Sequence, residues 1–587
     1  FLLFNYFKYL KYFILHFSYR ISYNLFVKNI SSYISYGYLR ARHDALNNFY
    51  SKHQALFKYL FLTLLNAAVL IYFVFATLYW KNNNDESYFN WCDGYGLLII
   101  LLAIIYGGLF YHYLGRLILG YFDHTECFIS IFGRCGSIII QAVFYACFLI
   151  GIIIFLIIDT ANSRERLRSG LGIIILLVFG YIFSKHPGRV KWRPVLSGLI
   201  LQFLFGLLLI RWPTGRSIFQ CLANKVERFL NFAKSGASFI YSDKLVTDGV
   251  FAFSVLPVIF YFSFFIQIFY YLGIMQWFIF NLGIILQSVV ETSICESTSI
   301  FLDIATVHFF SDGITVNDCT LFEQIDYLGT TYHYVFGFCH GTVFAAYIKF
   351  GANPAHLITS TLMAAPGTLC YSKLFYPETE KIIVTSHNVK LEKSKDSSLV
   401  DAASKGAVAA ISLILGIIAN IVAFVSFMAL VNALLSWIGS LVGYEELTLE
   451  LILSKVFMPL SWIMGVPWEQ CDDVATLIGL KTVVNEFVAY ETLGKYKEQG
   501  RIFGRTEAIA TFAICGFANP SSVGITMSMM NSLAPDKKES VASTVMRAFV
   551  GGSIICFITA SIAGIVYMAT TAAFLTTHGW CLANVLL

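Results

Sequence analysis

Residues 479–490 read GLKTVVNEFVAY, an apolar stretch broken by Asn485 and Glu486. It lies inside a longer apolar region, 451–495, and a second region, 506–533, is interrupted in the same way by Asn519, Ser521 and Ser522. Continuous membrane helices there would bury all five polar side chains. A carboxylate at bilayer depth costs at least ~2.5 kcal/mol on insertion scales, so it signals either a function or a compensating partner. Two readings stay open: a knot of interhelical hydrogen bonds, or half-helices joined by unwound backbone whose dipolar ends and freed carbonyls hold polar cargo near the midplane. The short polar loop between the two regions favours the second.

The rest of the chain supplies the membrane. Its 587 residues are 57% hydrophobic and 13% charged, outside the range of soluble globular proteins. Apolar runs near 56–80, 95–115, 137–159, 171–184, 195–211, 251–285, 405–440 and 544–576 are long enough, at ~1.5 Å per helical residue, to cross all or most of a ~30 Å hydrocarbon core. Lipid offers the backbone no hydrogen bonds, so these runs are expected to be helices, with irregular breaks facing protein or water. The expected class is an all-α polytopic membrane protein.

A net charge of +5 is too small for a nucleic-acid binder of this size, and the basic residues sit in short loops rather than on one stripe. They report orientation instead. Lys8, Lys11, Arg20, Lys28, Arg40, Arg42 and Lys52 precede the first span, and SKHPGRVKWR at 184–193 follows the fourth; the positive-inside rule puts both in the cytoplasm. SRERLR at 163–168 is a misfit on the outer side, and the Asn29-Ile30-Ser31 sequon falls inside. Thirteen cysteines, without a CxxC pair or a histidine at metal-ligand spacing, are expected mostly in the core.

Residues 1–50, rich in Phe and Tyr between Lys and Arg, read as an interfacial amphipathic helix or as a stretch foreign to the native protein. Segment 216–250, with Lys225, Glu227, Arg228, Lys234 and Lys244 among apolar residues, suggests helices lying along the interface, and 378–398 reads as a solvated loop.

At 479–490 the sequence matches the Gly-x-Lys-x-x-x-Asn-Glu-Phe-Val-Ala-aromatic pattern of the concentrative nucleoside transporters, the sodium/nucleoside cotransporters of eukaryotic type. The chain also resembles that family at 184–211, at 251–277 (FAFSVLPVIFYFSFFIQIFYYLGIMQW), at YPETEK 376–381, FMPLSWIMGV 457–466 and CGFANPSSVGI 515–525. The resemblance covers roughly 140–290 and 334–575. It implies a homotrimer whose scaffold helices surround a mobile transport domain of two re-entrant hairpins and two broken helices, arranged as inverted repeats and moving like an elevator.

On that resemblance the chain divides into 1–55, a cytoplasmic or interfacial segment; 56–215, N-terminal transmembrane helices; 216–290, interfacial helices and a scaffold helix; 291–404, first hairpin, first broken helix and polar loop; 405–446, a scaffold helix; 447–500, the second hairpin; and 501–587, the second broken helix and last span. Glu486 matches the carboxylate that accepts from ribose hydroxyls, and Asn519 and Ser522 match the pair that also contacts the sugar. The chemistry suits two vicinal hydroxyls: one ionised acceptor plus amide and hydroxyl groups of both capacities. Asn485, beside that carboxylate, and Thr342 are further expected substrate-binding residues, and Phe517 reads equally as substrate platform or core.

The first hairpin departs from the pattern. Where the family carries Gly-Asn-Ile-Phe and then a Gly-Gln-Thr-Glu tip, this chain has ESTSIFLDIATVHFF at 296–310. In that register Ser299 replaces the sodium-ligating Asn, Asp303 to Thr306 occupy the base-reading tip, and Ser299, Leu302 and Asp303 mark the sodium-site region. In VFGFCHGTVFAAYIKFG at 335–351 the break is two residues short, with Cys339 and His340 near it, while Thr342 and Val343 match the Thr-Val pair of purine-preferring members. His308 and His340 are candidate proton carriers beside a packing role. Three readings of this departure are open: a misread gene, a diverged carrier with altered base choice or coupling ion, or a degenerate copy.

The expected function is cation-coupled, sodium-driven uptake of nucleosides by a multi-pass plasma-membrane protein with no cofactor; the partners are nucleoside, sodium or protons, the bilayer and sister subunits. The alternative is a non-transporting subunit or nucleoside sensor. No nucleophile with a base partner, HExxH or paired Asp motif sits on the broken segments, so an enzyme is not expected, and no charge rings suggest a channel.

Overall fold

The computed structural model describes residues 52–83, 91–110, 138–161, 163–290, 341–377, 394, 396–444, 446–524, 527 and 538–568. Every regular element among them is helical. Five described stretches are long and apolar enough to cross a membrane: Tyr59–Asn82, Trp192–Arg211, Phe251–Tyr271, Leu399–Ser440 and Ala542–Val566.

The chain forms two compact units, 1–127 and 128–587. In the first, α1 (Gln54–Asn83) and α2 (Tyr95–Phe110) meet where Tyr106 Oη donates to Asn66 Oδ1 at 2.7 Å, the Thr77 and Tyr95 hydroxyls share a hydrogen bond of 2.7 Å, and Tyr95 stacks on Trp80 with centroids 5.4 Å apart. Exposed Leu, Phe and Tyr line α1, as the bilayer reading requires.

The second unit begins with α3 (Ile138–Asp159), α4 (Leu167–Ile182) and α5 (Trp192–Gly206), the last ending in a π turn at Leu207–Arg211. The expected interfacial segment is α6 (Pro213–Asn231), α7 (Ala233–Tyr241) and α8 (Asp243–Thr247). Ala223 and Leu230, two turns apart, bury one stripe of α6; Lys225 and Arg228 lie off it, while Glu227, one turn after Ala223, sits half-buried on the same face.

The span expected at 251–285 is three pieces: α9 (Phe251–Ser254), α10 (Pro257–Tyr271) and α11 (Ile274–Val290). Pro257 opens α10, and Gly273, at φ +76°, bends the chain out of it. Hydropathy is blind to both breaks. It is also blind to α13 (Pro354–Phe375), which follows α12 (Gly341–Lys349) and is buried at nearly every residue from 359 to 375 although rich in Ser, Thr, Gly and Ala.

Small residues let these helices approach closely. A Cβ on Gly198 of α5 would lie 2.8 Å from the Pro366 carbonyl oxygen of α13, and one on Gly367 would lie 2.6 Å from Gln202. The chain continues through α14 (Leu399–Ser440), α15 (Leu449–Ile463), α16 (Cys471–Val483), α17 (Glu486–Glu498), α18 (Gly504–Ile514), a short helix at 520–524 and α19 (Lys538–Val566). Helices α10 and α14 pack along each other, as do α15 and α16; α4, α13 and α18 all pack on α19.

Two sequence expectations change here. Cys370, Cys471, Cys515 and Cys556 are buried thiols, but Cys92 and Cys221 are disulfide-bonded. The basic misfit at 163–168 is partly internal: Arg166 is 4% exposed, pairs with Asp159 at 2.7 Å and donates Nε to the Ile565 carbonyl at 2.7 Å. A charge used inside the fold does not count toward orientation.

Candidate functional site

The site is built where two helices stop. Helix α16 ends at Val483, Val484 takes a non-helical φ/ψ of −105°/−86°, and Asn485 is extended before α17 starts at Glu486. Asn485 is the N-cap: its Oδ1 accepts from Val488 N at 3.0 Å. Glu486 therefore occupies the first turn of α17, at the positive end of the helix dipole, and is 2% exposed.

The second stop is a repetition of the first. Helix α18 ends at Ile514, residues 515–519 are non-helical, and the chain re-enters a helix at 520. Asn519 caps this restart, accepting from Ser522 N at 2.9 Å and Ser521 Oγ at 2.7 Å, with Pro520 in the first helical position.

One hydrogen bond joins the two breaks: Asn519 Nδ2 donates to Glu486 Oε2 at 2.5 Å. Because Asn519 Oδ1 is committed to Ser521 and Ser522, its amide can turn only its NH2 toward the carboxylate. The carboxylate, with two oxygens and about four lone-pair sites, keeps acceptor capacity beyond that bond. Asn519 is fully buried and Ser522 is 6% exposed.

Aromatic side chains wall the carboxylate. Phe487 stands edge-on to Phe251 at 5.7 Å and tilts against Tyr347 at 5.4 Å; Tyr347 stacks on Tyr490 at 4.3 Å. Tyr490 Oη donates to the Thr511 carbonyl, tying α17 to α18. The Tyr347 hydroxyl interacts with the Glu486 carboxylate.

Of the sequence candidates, Glu486, Asn485, Asn519 and Ser522 converge here. Phe517, half-buried in the second break, packs against the core. Thr342 lies in the first turn of α12, about 7.5 Å along the axis from Tyr347 at 1.5 Å per residue. Ser299, Leu302, Asp303, His308, Cys339 and His340 lie outside the described residues. Among the described residues no three His, Cys, Asp or Glu side chains form a metal-binding group.

Sequence reasoning missed two neighbours, Tyr347 and Lys481. Lys481 was inside the quoted motif, and its apolar flanks, Leu480 and Val483, were the available signal that it is buried. Tyr347 carried none, since a tyrosine in an apolar helix is ordinary.

Comparison with known proteins gives two family-model matches, Na+ dependent nucleoside transporter N-terminus over residues 171–244 and Na+ dependent nucleoside transporter C-terminus over 356–564. The chain is 36% identical over 553 residues to solute carrier family 28 member 3 of Homo sapiens, covering 90% of this chain and 77% of that protein. It is 40% identical over 448 residues to the protein of the same name from Eptatretus stoutii, covering 73% of this chain and 65% of the relative's length, just under two thirds. A solved structure of CNTnw in an inward-facing substrate-bound state superposes with a TM-score of 0.64 at 31% identity, covering 68% of this chain and 98% of that one.

Proposed function

The chain belongs to the sodium-dependent nucleoside transporter family, and from that premise we propose that it carries nucleosides across a membrane by sodium-coupled secondary transport. The observation that supports this most directly is the Asn519–Glu486 hydrogen bond, which joins two helix breaks in a buried, aromatic-walled place. The family is one of transporters rather than enzymes.

In this reading Glu486 accepts from the vicinal ribose hydroxyls, Asn519 and Ser522 contact the same sugar, Asn485 holds the Glu486 turn, and Phe517 and Thr342 border the substrate. Sodium binds in the first-hairpin region around Ser299, Leu302 and Asp303. Helices α10 and α14 serve as scaffold, and the helices gathered on α19 move with the two breaks. Exposed Val408, Leu415, Val422 and Leu430 on α14 meet lipid or sister subunits in a trimer, whose mass in detergent native mass spectrometry would report.

Coupling requires each ligand to improve the other's binding by the same factor. Purified protein in liposomes should therefore concentrate labelled uridine or adenosine only when sodium is high outside, and sodium should tighten nucleoside binding. Uptake that runs equally in choline would overturn sodium coupling; folded protein that neither binds nor moves any nucleoside would overturn the whole reading.

A further inference from the structure

Lys481 is fully buried in the last turn of α16. Its Nζ has no hydrogen-bond partner among the described residues and lies 6.0 Å from the centroid of the Phe557 ring of α19. A buried ammonium without an acceptor is costly unless an opposite charge is close. Among the described residues the groups that act on it are the Cys556 thiol, the Glu486 carboxylate and the Cys515 thiol, and of these Glu486 is the carboxylate.

The helix break allows the two side chains to face one another. In a continuous helix, residues five apart lie about 140° around the axis from each other, which would separate the two heads. The non-helical Val484 and the extended Asn485 remove that constraint. Asn519 Nδ2 donates to the carboxylate and the Tyr347 hydroxyl faces it, with Tyr490 stacked on Tyr347; among the described residues Lys481 is the ionic group that acts on it.

We propose that Lys481 is the built-in counter-charge of Glu486, holding it as an ionised, acceptor-only carboxylate so that ribose hydroxyls meet a preformed acceptor. Lys481 is a positioning residue: it acts through Glu486 and leaves the sugar-facing side of the carboxylate free. The inference rests on the nucleoside reading of the site, but the charge pair itself is testable without it.

The test is a double-variant cycle on purified full-length protein, with Lys481→Met, Glu486→Gln and the two together, reading the thermal midpoint and equilibrium binding of uridine and 2′,3′-dideoxyuridine. Each single variant leaves a buried charge unpaired and lowers the midpoint, whereas the double variant recovers most of that loss. Lys481→Met weakens uridine at least ~10-fold and shrinks the preference for uridine over the dideoxy analogue, because the loss passes through the hydroxyl acceptor. Lys481→Arg, which keeps the charge, restores more of that preference than Met does.

A purely structural lysine predicts the opposite: additive midpoint losses and an unchanged uridine-to-dideoxyuridine ratio, and either result overturns the proposal. If Lys481→Met alone fails to fold, the double variant carries the test, and its failure to fold overturns the pairing. A wild type that binds no nucleoside would refute the transport reading, while the midpoint cycle still decides whether Lys481 and Glu486 are paired.

Discussion

Asn519 has one amide and three jobs: its oxygen caps the helix at 520–524 through Ser522 N and accepts from Ser521, and its nitrogen bonds Glu486. Replacing it should therefore separate capping from charge recognition. Asn519→Asp keeps the cap oxygen but sets a second carboxylate against Glu486, while Asn519→Ala loses the cap and the bond together. Alanine should cost ~1 kcal/mol of stability as a lost cap and ~1–3 kcal/mol of uridine binding, roughly 5- to 150-fold. Aspartate should hurt binding more than alanine at neutral pH, because two buried carboxylates cannot both stay ionised at that distance. Isothermal titration with uridine measures both, and an aspartate variant that binds better than alanine would refute the assigned roles.

At the scale of elements, α17 is pinned by close backbone approach. A Cβ on Gly494 would fall 2.1 Å from the Phe350 carbonyl oxygen, just past the end of α12, so Gly494→Ala must push α12 off the helix that carries Glu486. The expected loss is ~1–3 kcal/mol, read as a lower thermal midpoint, with weaker nucleoside binding as the aromatic wall of Tyr347, Phe487 and Tyr490 opens. Gly416→Ala on α14, where nothing lies within 4 Å, should be neutral or slightly stabilising. Equal effects of the two would contradict the packing argument.

The same packing explains which elements the sequence revealed. Spans that face lipid, such as α1 and α14, are long and uniformly apolar, and hydropathy finds them. Helix α13 escapes it because a helix surrounded by other helices is selected for small side chains that let backbones touch, so its Ser, Thr and Gly residues lower its hydropathy while it is more buried than any lipid-facing span. The breaks at 484–485 and 515–519 were legible because a carboxylate and an asparagine in an apolar run demand a reason. The break at Gly273 was not, because a lone glycine among aromatic residues leaves hydropathy unchanged. The motif marked Glu486, but the environment of Lys481 depends on Phe557 of α19, 76 residues further along, and no local pattern carries that.

Across the second unit, the ends of distant segments are held by buried guanidinium groups. Arg166, just ahead of α4, reaches Asp159 at the end of α3 and the Ile565 carbonyl near the end of α19, and Arg211 in the turn after α5 binds the same aspartate. Arg505 repeats the device one residue away, donating Nε to the Gly564 carbonyl at 2.7 Å and Nη2 to Ser169 Oγ at 3.0 Å. Carbonyls at a helix C-terminus lack intrahelical donors and carry partial negative charge, so two cations there satisfy both needs. Removing Arg166 leaves Asp159, whose side chain is 8% exposed, with the more exposed Arg211 as its one ionic partner among the described residues, and frees the Ile565 carbonyl as well. Arg166→Ala should cost ~3–5 kcal/mol of stability, the range for breaking a buried pair, whereas Arg168→Ala should cost little, since the Arg168–Glu165 pair is partly exposed with its atoms 3.7 Å apart. Thermal midpoints of the two variants decide it. An Arg166→Ala midpoint matching that of Arg168→Ala would mean that SRERLR is an ordinary charged loop, and its basic residues would then count fully against the N-terminus-inside orientation.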